Sequence, residues 1–170
     1  MKSLKIKFLV LILGLIVIQC DAQVELEKKQ TNYPLVKSEQ EWKSILTDKE
    51  YNILFKKDTE PAFTGEYNDL KDDGTFLCAA CKKPLFLSNH KYDSRSGWPS
   101  FFDTYSKSNV TLIDDSSLGM KRVEVVCANC GGHLGHIFND GPKPTGLRYC
   151  VNSASLKFTT EKKLFNFLDE

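Results

Sequence analysis

Two CxxC pairs, Cys78-Ala79-Ala80-Cys81 and Cys127-Ala128-Asn129-Cys130, constrain this chain more than any other feature. Two thiolates two residues apart can fill two corners of a tetrahedron, and a second such pair completes it. Each pair follows a short apolar run, Thr75-Phe76-Leu77 before the first and Val123 to Val126, interrupted by Glu124, before the second. That order predicts a strand feeding a tight knuckle, with Gly131 and Gly132 supplying the conformational freedom the second knuckle needs. The pairs lie too far apart for a zinc finger, so a metal would staple two distant parts of one domain. A pair of disulfides or a CxxC redox centre is the competing reading. The paired spacing favours one structural zinc ion held by Cys78, Cys81, Cys127 and Cys130.

The stretch from Cys127 to Asn152 holds three of the six cysteines and two of the three histidines. Its five glycines and two prolines predict that much of it is loop and turn. Cys150 has no partner in the metal set. A lone cysteine is most often a small buried hydrophobe. Here Arg148 precedes it by two residues, Asn152 follows it by two, and His133 and His136 lie upstream. A thiolate with an imidazole and an amide nearby is the usual equipment of nucleophilic thiol chemistry. On the residues alone, a reactive thiol and a zinc-stapled binding module without chemistry both stand.

At 170 residues the chain suits one domain of ordinary size. Its formal charge of +1 and the lack of a basic stripe argue against nucleic acid as a partner. Residues 1–22 read as a targeting segment: Lys2, Lys5 and Lys7 precede the apolar run Phe8 to Ile18, which is too short to span a bilayer. Cys20 and Ala22 fit a signal-peptidase site before Gln23. Alternatively, Cys20 is the lipid-modified residue of a bacterial lipoprotein, although Gln19 stands where a small residue is usual. Without this segment 20 basic and 21 acidic residues remain. The expected location is the bacterial periplasm, free or membrane-anchored. An oxidising compartment favours disulfides, which stands in tension with the metal reading.

Residues 23–36 read as a linker or loose arm. Ser38 to Glu41 and Thr47 to Glu50 are two capping boxes, predicting two short helices whose Trp42, Ile45, Leu46, Tyr51 and Leu54 cover one end of a sheet. From Thr75 onward short apolar segments alternate with turn residues, which predicts a mainly β domain. Leu85 to Leu87 and Arg122 to Val126 are expected strands. Ala154, Leu156 and Phe158 are expected to face one way on another, with Ser155 and Lys157 facing the other. Asp140-Gly141 reads as a turn. Trp98, between Gly97 and Pro99, is either a core plug or the wall of an apolar subsite, and composition leans to the core.

In order along the chain stand Pro61-Ala62-Phe63-Thr64-Gly65, Cys78-Ala79-Ala80-Cys81, Lys91-Tyr92-Asp93-Ser94 and Gly97-Trp98-Pro99-Ser100-Phe101. Gly119-Met120, His133-Leu134-Gly135-His136, Gly141-Pro142 and Thr145 to Ser153 follow. With these landmarks, from about Trp42 to Phe158, the chain resembles the methionine-R-sulfoxide reductase B family. The resemblance implies a small antiparallel β domain with short N-terminal helices, spanning residues 37–165 and stapled by four-cysteine zinc. It implies Cys150 as nucleophile, His136 and His133 as proton donors to the sulfoxide oxygen, and Asn152 as the site amide. Trp98 becomes the aromatic wall for the substrate methyl, against the core-leaning reading, and Arg148 a neighbour that biases the thiol to thiolate. The implied substrates are proteins carrying methionine-R-sulfoxide. Many relatives carry a resolving cysteine where this chain has Ser96. The expected cycle therefore uses one cysteine and an external thioredoxin-like reductant, in a monomer with no catalytic cofactor.

Overall fold

The computed structural model describes residues 32–160. The expectations for the targeting segment, for Cys20 and for residues 23–31 and 161–165 lie outside that range. Helices α1 (Glu39–Ile45) and α2 (Asp48–Lys56) begin at the two predicted capping boxes. In each, the cap backbone N–H donates to the glutamate three residues on, at 2.8 Å for both Ser38–Glu41 and Thr47–Glu50. Two orphan N–H groups are thereby satisfied at each helix start. Trp42, Leu46, Tyr51 and Leu54 are buried as expected, but Ile45 is exposed, because its side chain falls on the outer face of α1. Helix α2 packs on the strand His133–Phe138 and on the Ser153–Ser155 turn, so it covers part of a sheet, and α1 packs on α2.

Nine strands follow: β1 (Thr75–Cys78), β2 (Pro84–Leu87), β3 (Lys91–Tyr92), β4 (Ser100–Phe101), β5 (Val110–Asp115), β6 (Arg122–Cys127), β7 (His133–Phe138), β8 (Arg148–Val151) and β9 (Leu156–Thr159). They form a three-stranded sheet, β2-β1-β9, and a six-stranded sheet, β3-β4-β8-β7-β6-β5, with antiparallel pairing throughout. The fold is the mainly β domain that the sequence predicts. Phe76 and Phe86 of the small sheet meet Phe101 of the large one, at ring centroid distances of 5.0 and 4.4 Å, and Phe86 also reaches Tyr149. Each of these fully buried rings contributes on the order of 2–3 kcal/mol of burial energy. Together they fix the angle between the two sheets.

Two local expectations are corrected and one is filled in. The stretch from Cys127 to Asn152 is in large part loop and turn, as expected, and also contains β7 and β8, the middle of the large sheet. Its glycines serve close approach there: a Cβ on Gly135 would lie 2.0 Å from the Cys150 carbonyl oxygen, so only glycine lets β7 meet β8. The expected strand at Ala154 begins two residues later, at Leu156, since Ser153–Ser155 form a turn of 3₁₀ helix. Ser155 is fully buried there and donates to the His133 carbonyl at 2.9 Å. The described end of the predicted loose arm is pinned: the Leu35 N–H donates to the Asn129 carbonyl at 2.9 Å, and the Tyr33 ring lies against Gly131.

Candidate active site and metal centre

The two cysteine knuckles are copies of one backbone device. In the first, the Cys78 N–H donates to the Lys83 carbonyl and the Lys82 N–H to the Cys78 carbonyl. In the second, Cys127 bonds Gly132 and Gly131 bonds Cys127 in the same way. The residue after each second cysteine is left-handed, Gly131 at φ 73° and Lys82 at φ 61°. Only the second knuckle uses glycine, so the first closes against a modest strain. All four Sγ atoms lie within 4.8 Å of one another, with Cys78 to Cys130 at 3.7 Å and Cys81 to Cys127 at 3.5 Å. Both separations are far beyond the roughly 2.05 Å of an S–S bond. They match the edge of about 3.8 Å that a tetrahedron with metal–sulfur bonds of about 2.3 Å requires. The neighbouring thiols push Cys78 and Cys130 well above the ordinary range and pull Cys81 and Cys127 below it. Four sulfurs this close cannot all ionise alone, and a divalent cation lets them do so. Cys78 ends β1 and Cys127 ends β6, so an ion here ties the small sheet to the large one.

Strand register builds the second centre. His136 on β7 stands directly across from Cys150 on β8. Cys150 opens into a cleft of about 160 Å³ whose walls include Trp98, His133, His136, Phe138 and Asn152. The structure thus brings Cys150, both histidines, Asn152 and Trp98 together from segments far apart in sequence. Arg148, two residues before Cys150 on β8, points to a neighbouring groove instead of this cleft.

Each histidine is held by a carboxylate. His133 is buried, and its Nδ1 is 2.7 Å from Glu124 Oε1. The other Glu124 oxygen accepts from Lys57 Nζ at 2.7 Å. Burial opposes the charge on Glu124, yet the bonds from His133 and Lys57 outweigh it and hold the carboxyl below its usual range. His136 Nε2 is 2.8 Å from Asp115 Oδ2, which also accepts from Arg122 at 2.8 Å. Bonds from Ser117 and His136 keep Asp115 ionised far below the usual carboxylate range. Burial pushes His136 below the ordinary histidine value, and Asp115 only partly offsets it. With Nε2–H donated to Asp115, His136 turns its Nδ1 side away from the carboxylate.

Trp98 and Asn152 are tied to the same backbone. The Trp98 indole N–H donates to the Glu60 carbonyl at 3.0 Å, leaving the half-buried ring on the cleft wall. Asn152 is buried; its oxygen accepts from the Glu60 N–H at 3.1 Å and its amide donates to the Leu134 carbonyl at 3.2 Å. The Glu60 carboxylate, also buried, accepts from the N–H groups of Ser153 and Ala154. On the far side of Cys150, Arg148 makes a two-pronged bond to Asp140, both contacts 2.8 Å, and stacks 4.3 Å over Phe138. Asp140 is therefore the anchor of Arg148 and more than the turn residue expected. The Ser96 hydroxyl is 3.6 Å from Cys150 Sγ.

Sequence reading missed Glu60, Asp115 and Glu124 altogether. One signal pointed to Glu124: it is the only charge in the apolar run Val123 to Val126. Nothing local marks the other two.

A thiol facing two carboxylate-held imidazoles and an aromatic wall, on a β scaffold with a four-cysteine cage, defines a thiol-dependent oxidoreductase. The SelR domain family matches residues 46–160. A peptide methionine sulfoxide reductase MsrB of Leptospira interrogans is 56% identical over 130 residues, covering 76% of this chain and 99% of that protein. The MsrB protein of Methanosarcina mazei is 53% identical over 126 residues, covering 74% of this chain and 90% of its own length. The mitochondrial methionine-R-sulfoxide reductase B3 of Mus musculus is 52% identical over 132 residues, covering 78% of this chain and 52% of that protein. The chain belongs to the SelR-domain, or MsrB, family of peptide methionine sulfoxide reductases.

The cage sets one expectation for stability. Elemental analysis should find one divalent ion per chain. Stripping the ion with a chelator should cost on the order of several kcal/mol in urea unfolding, because it leaves four crowded thiols and frees two sheets from each other. Unchanged stability in the stripped protein would refute the structural role.

Proposed function

We propose that this protein reduces methionine-R-sulfoxide in polypeptides to methionine, with Cys150 as the nucleophile. The single observation behind this is the register that sets Cys150 opposite His136 inside a cleft walled by Trp98. The Cys150 thiolate attacks the sulfoxide sulfur, forming an Sγ–S bond, while a protonated imidazole gives its proton to the oxygen. The hydroxyl then passes to Sγ: an Sγ–O bond forms as the sulfur–oxygen and sulfur–sulfur bonds to the substrate break, so methionine leaves and Cys150 carries the sulfenic acid. Protonation converts a poor leaving oxygen into a good one. Trp98 gives the substrate methyl an apolar face opposite the histidines, so one hand of sulfur fits. Asn152 and Glu60 act as positioning residues that hold Trp98 and the β7–β8 register. The ion in the cage is zinc, bound by Cys78, Cys81, Cys127 and Cys130, and it supplies folding energy only.

Ser96 cannot form a disulfide with Cys150, so an external thiol regenerates the enzyme, from a thioredoxin-like protein in the physiological setting. The protein acts as an exported monomer, periplasmic or lipid-anchored. Mass analysis of the mature chain checks the export. A start at Gln23 marks cleavage, a lipid-modified Cys20 marks a lipoprotein, and a soluble chain retaining Met1 removes the proposal.

Single turnover without reductant tests the reaction. A peptide carrying both sulfoxide epimers should lose only the R epimer, about one equivalent per chain, with a sulfenic acid on Cys150 by mass. Cys150→Ser should show no loss. Consumption of the S epimer, or turnover by Cys150→Ser, would refute the assignment.

The depressed His136 sets the pH dependence. Its protonated fraction shrinks as pH rises, so the single-turnover rate should carry a limb that falls with increasing pH. Asp115 supports the protonated form, and Asp115→Asn should therefore move that limb to lower pH. His136→Gln should lower the rate by about 10²-fold or more. A limb that does not move in Asp115→Asn would take His136 out of the acid role.

A further inference from the structure

Two openings lie near Cys150, and Cys150 lines the first of them. The first is the cleft of about 160 Å³ with Trp98 and the histidines. The second is a separate groove of about 450 Å³, whose walls include Tyr92, Asp93, Ser96, Asp140, Pro142 and Arg148. Ser96 is the partition between them. Its side chain lines the groove and not the cleft, while its Oγ is 3.6 Å from the Cys150 Sγ that lines the cleft. The hydroxyl is small and is also bonded to Ser94 Oγ at 2.8 Å, so it is not held by the sulfur alone. Tyr92 Oη is buried without a hydrogen-bond partner, and Tyr92 and Arg148 both line the groove.

We propose that the reducing thiol enters by this groove, so that substrate and reductant reach opposite sides of one sulfur. The inference rests on the sulfenic acid proposed above. Displacement at divalent sulfur is in line: the entering sulfur, Sγ and the departing oxygen lie close to one axis. The first half-reaction leaves the oxygen on the histidine side of Sγ. The entering sulfur must therefore arrive from the other side, which is the side of Ser96. An S–S bond forms as the S–O bond breaks, and the oxygen leaves as water with the proton of the thiol. A second thiol then takes the entering sulfur, releasing a disulfide and the Cys150 thiol. The groove is also larger than the cleft, about 450 against 160 Å³.

Narrowing the groove separates the two half-reactions. Pro142 is exposed on its rim and takes no part in sulfoxide reduction. In Pro142→Trp the single-turnover rate should stay within about twofold of the parent. Recovery of the Cys150 thiol should slow about tenfold, with 2-mercaptoethanol and with reduced thioredoxin alike. Thr59→Trp, on the cleft wall, should give the reverse pattern. Asp93→Trp on the opposite lip replaces Pro142→Trp if that variant does not fold. Unchanged recovery, or equal slowing of both half-reactions, would overturn the route. Slowing confined to thioredoxin would place only the body of that protein in the groove and would also overturn it. Absence of any single turnover in the parent protein would instead remove the proposed function itself.

Discussion

Four sulfurs within 4.8 Å of one another are the constraint on which the rest of this domain hangs. Crowded thiols resist ionisation, and only a cation makes the crowding favourable. The cluster sits where a strand of the small sheet and a strand of the large sheet both end. The aromatic layer of Phe76, Phe86 and Phe101 holds the same two sheets a short distance away. An ion held there would act on the same angle as the aromatic layer. The placing of Trp98 belongs to the large sheet itself, because β4 with Ser100 pairs directly with β8 at Cys150.

Carboxylates, two of them buried, do the positioning inside the site. Glu124 fixes His133, Asp115 fixes His136, and Glu60 carries Trp98 and Asn152 through its backbone while its carboxylate caps the Ser153–Ala154 turn. Each is compensated. Lys57 shares Glu124, Arg122 shares Asp115, and Lys49 lies 3.6 Å from Glu60. A buried charge removed from its partner is costly, so these pairs resist the small displacements that would misplace an imidazole. The price is that the site depends on residues from three different parts of the chain.

Much of this was legible in the sequence, for a physical reason. Metal ligands and helix caps are encoded by short spacings, and Cys78 to Cys81, Cys127 to Cys130, Ser38 to Glu41 and Thr47 to Glu50 all behave as spacing predicts. The site residues Cys150, His133, His136 and Trp98 entered through ordered motifs, and the structure gathers them in one cleft. The carboxylates did not show themselves because their partners are not local. Glu60 meets Ser153 across 93 positions and Asp115 meets His136 across 21. Glycine counting marked the turns of Cys127 to Asn152 but not the role of Gly135, which serves strand contact with the Cys150 carbonyl. Arg148, expected as the neighbour that biases the thiol, lines the adjoining groove, where the bond to Asp140 holds it.

The pairing of β1 with β9 has a consequence for how the chain reaches this state. Thr75 lies opposite Thr159, so the small sheet closes only when the last described strand is available. Contacts of such sequence separation slow folding, since a long loop must be ordered before any of them forms. Until then the first cysteine pair waits for the second with its thiols uncommitted. A cation held at the first knuckle would keep those thiols occupied while the ring closes.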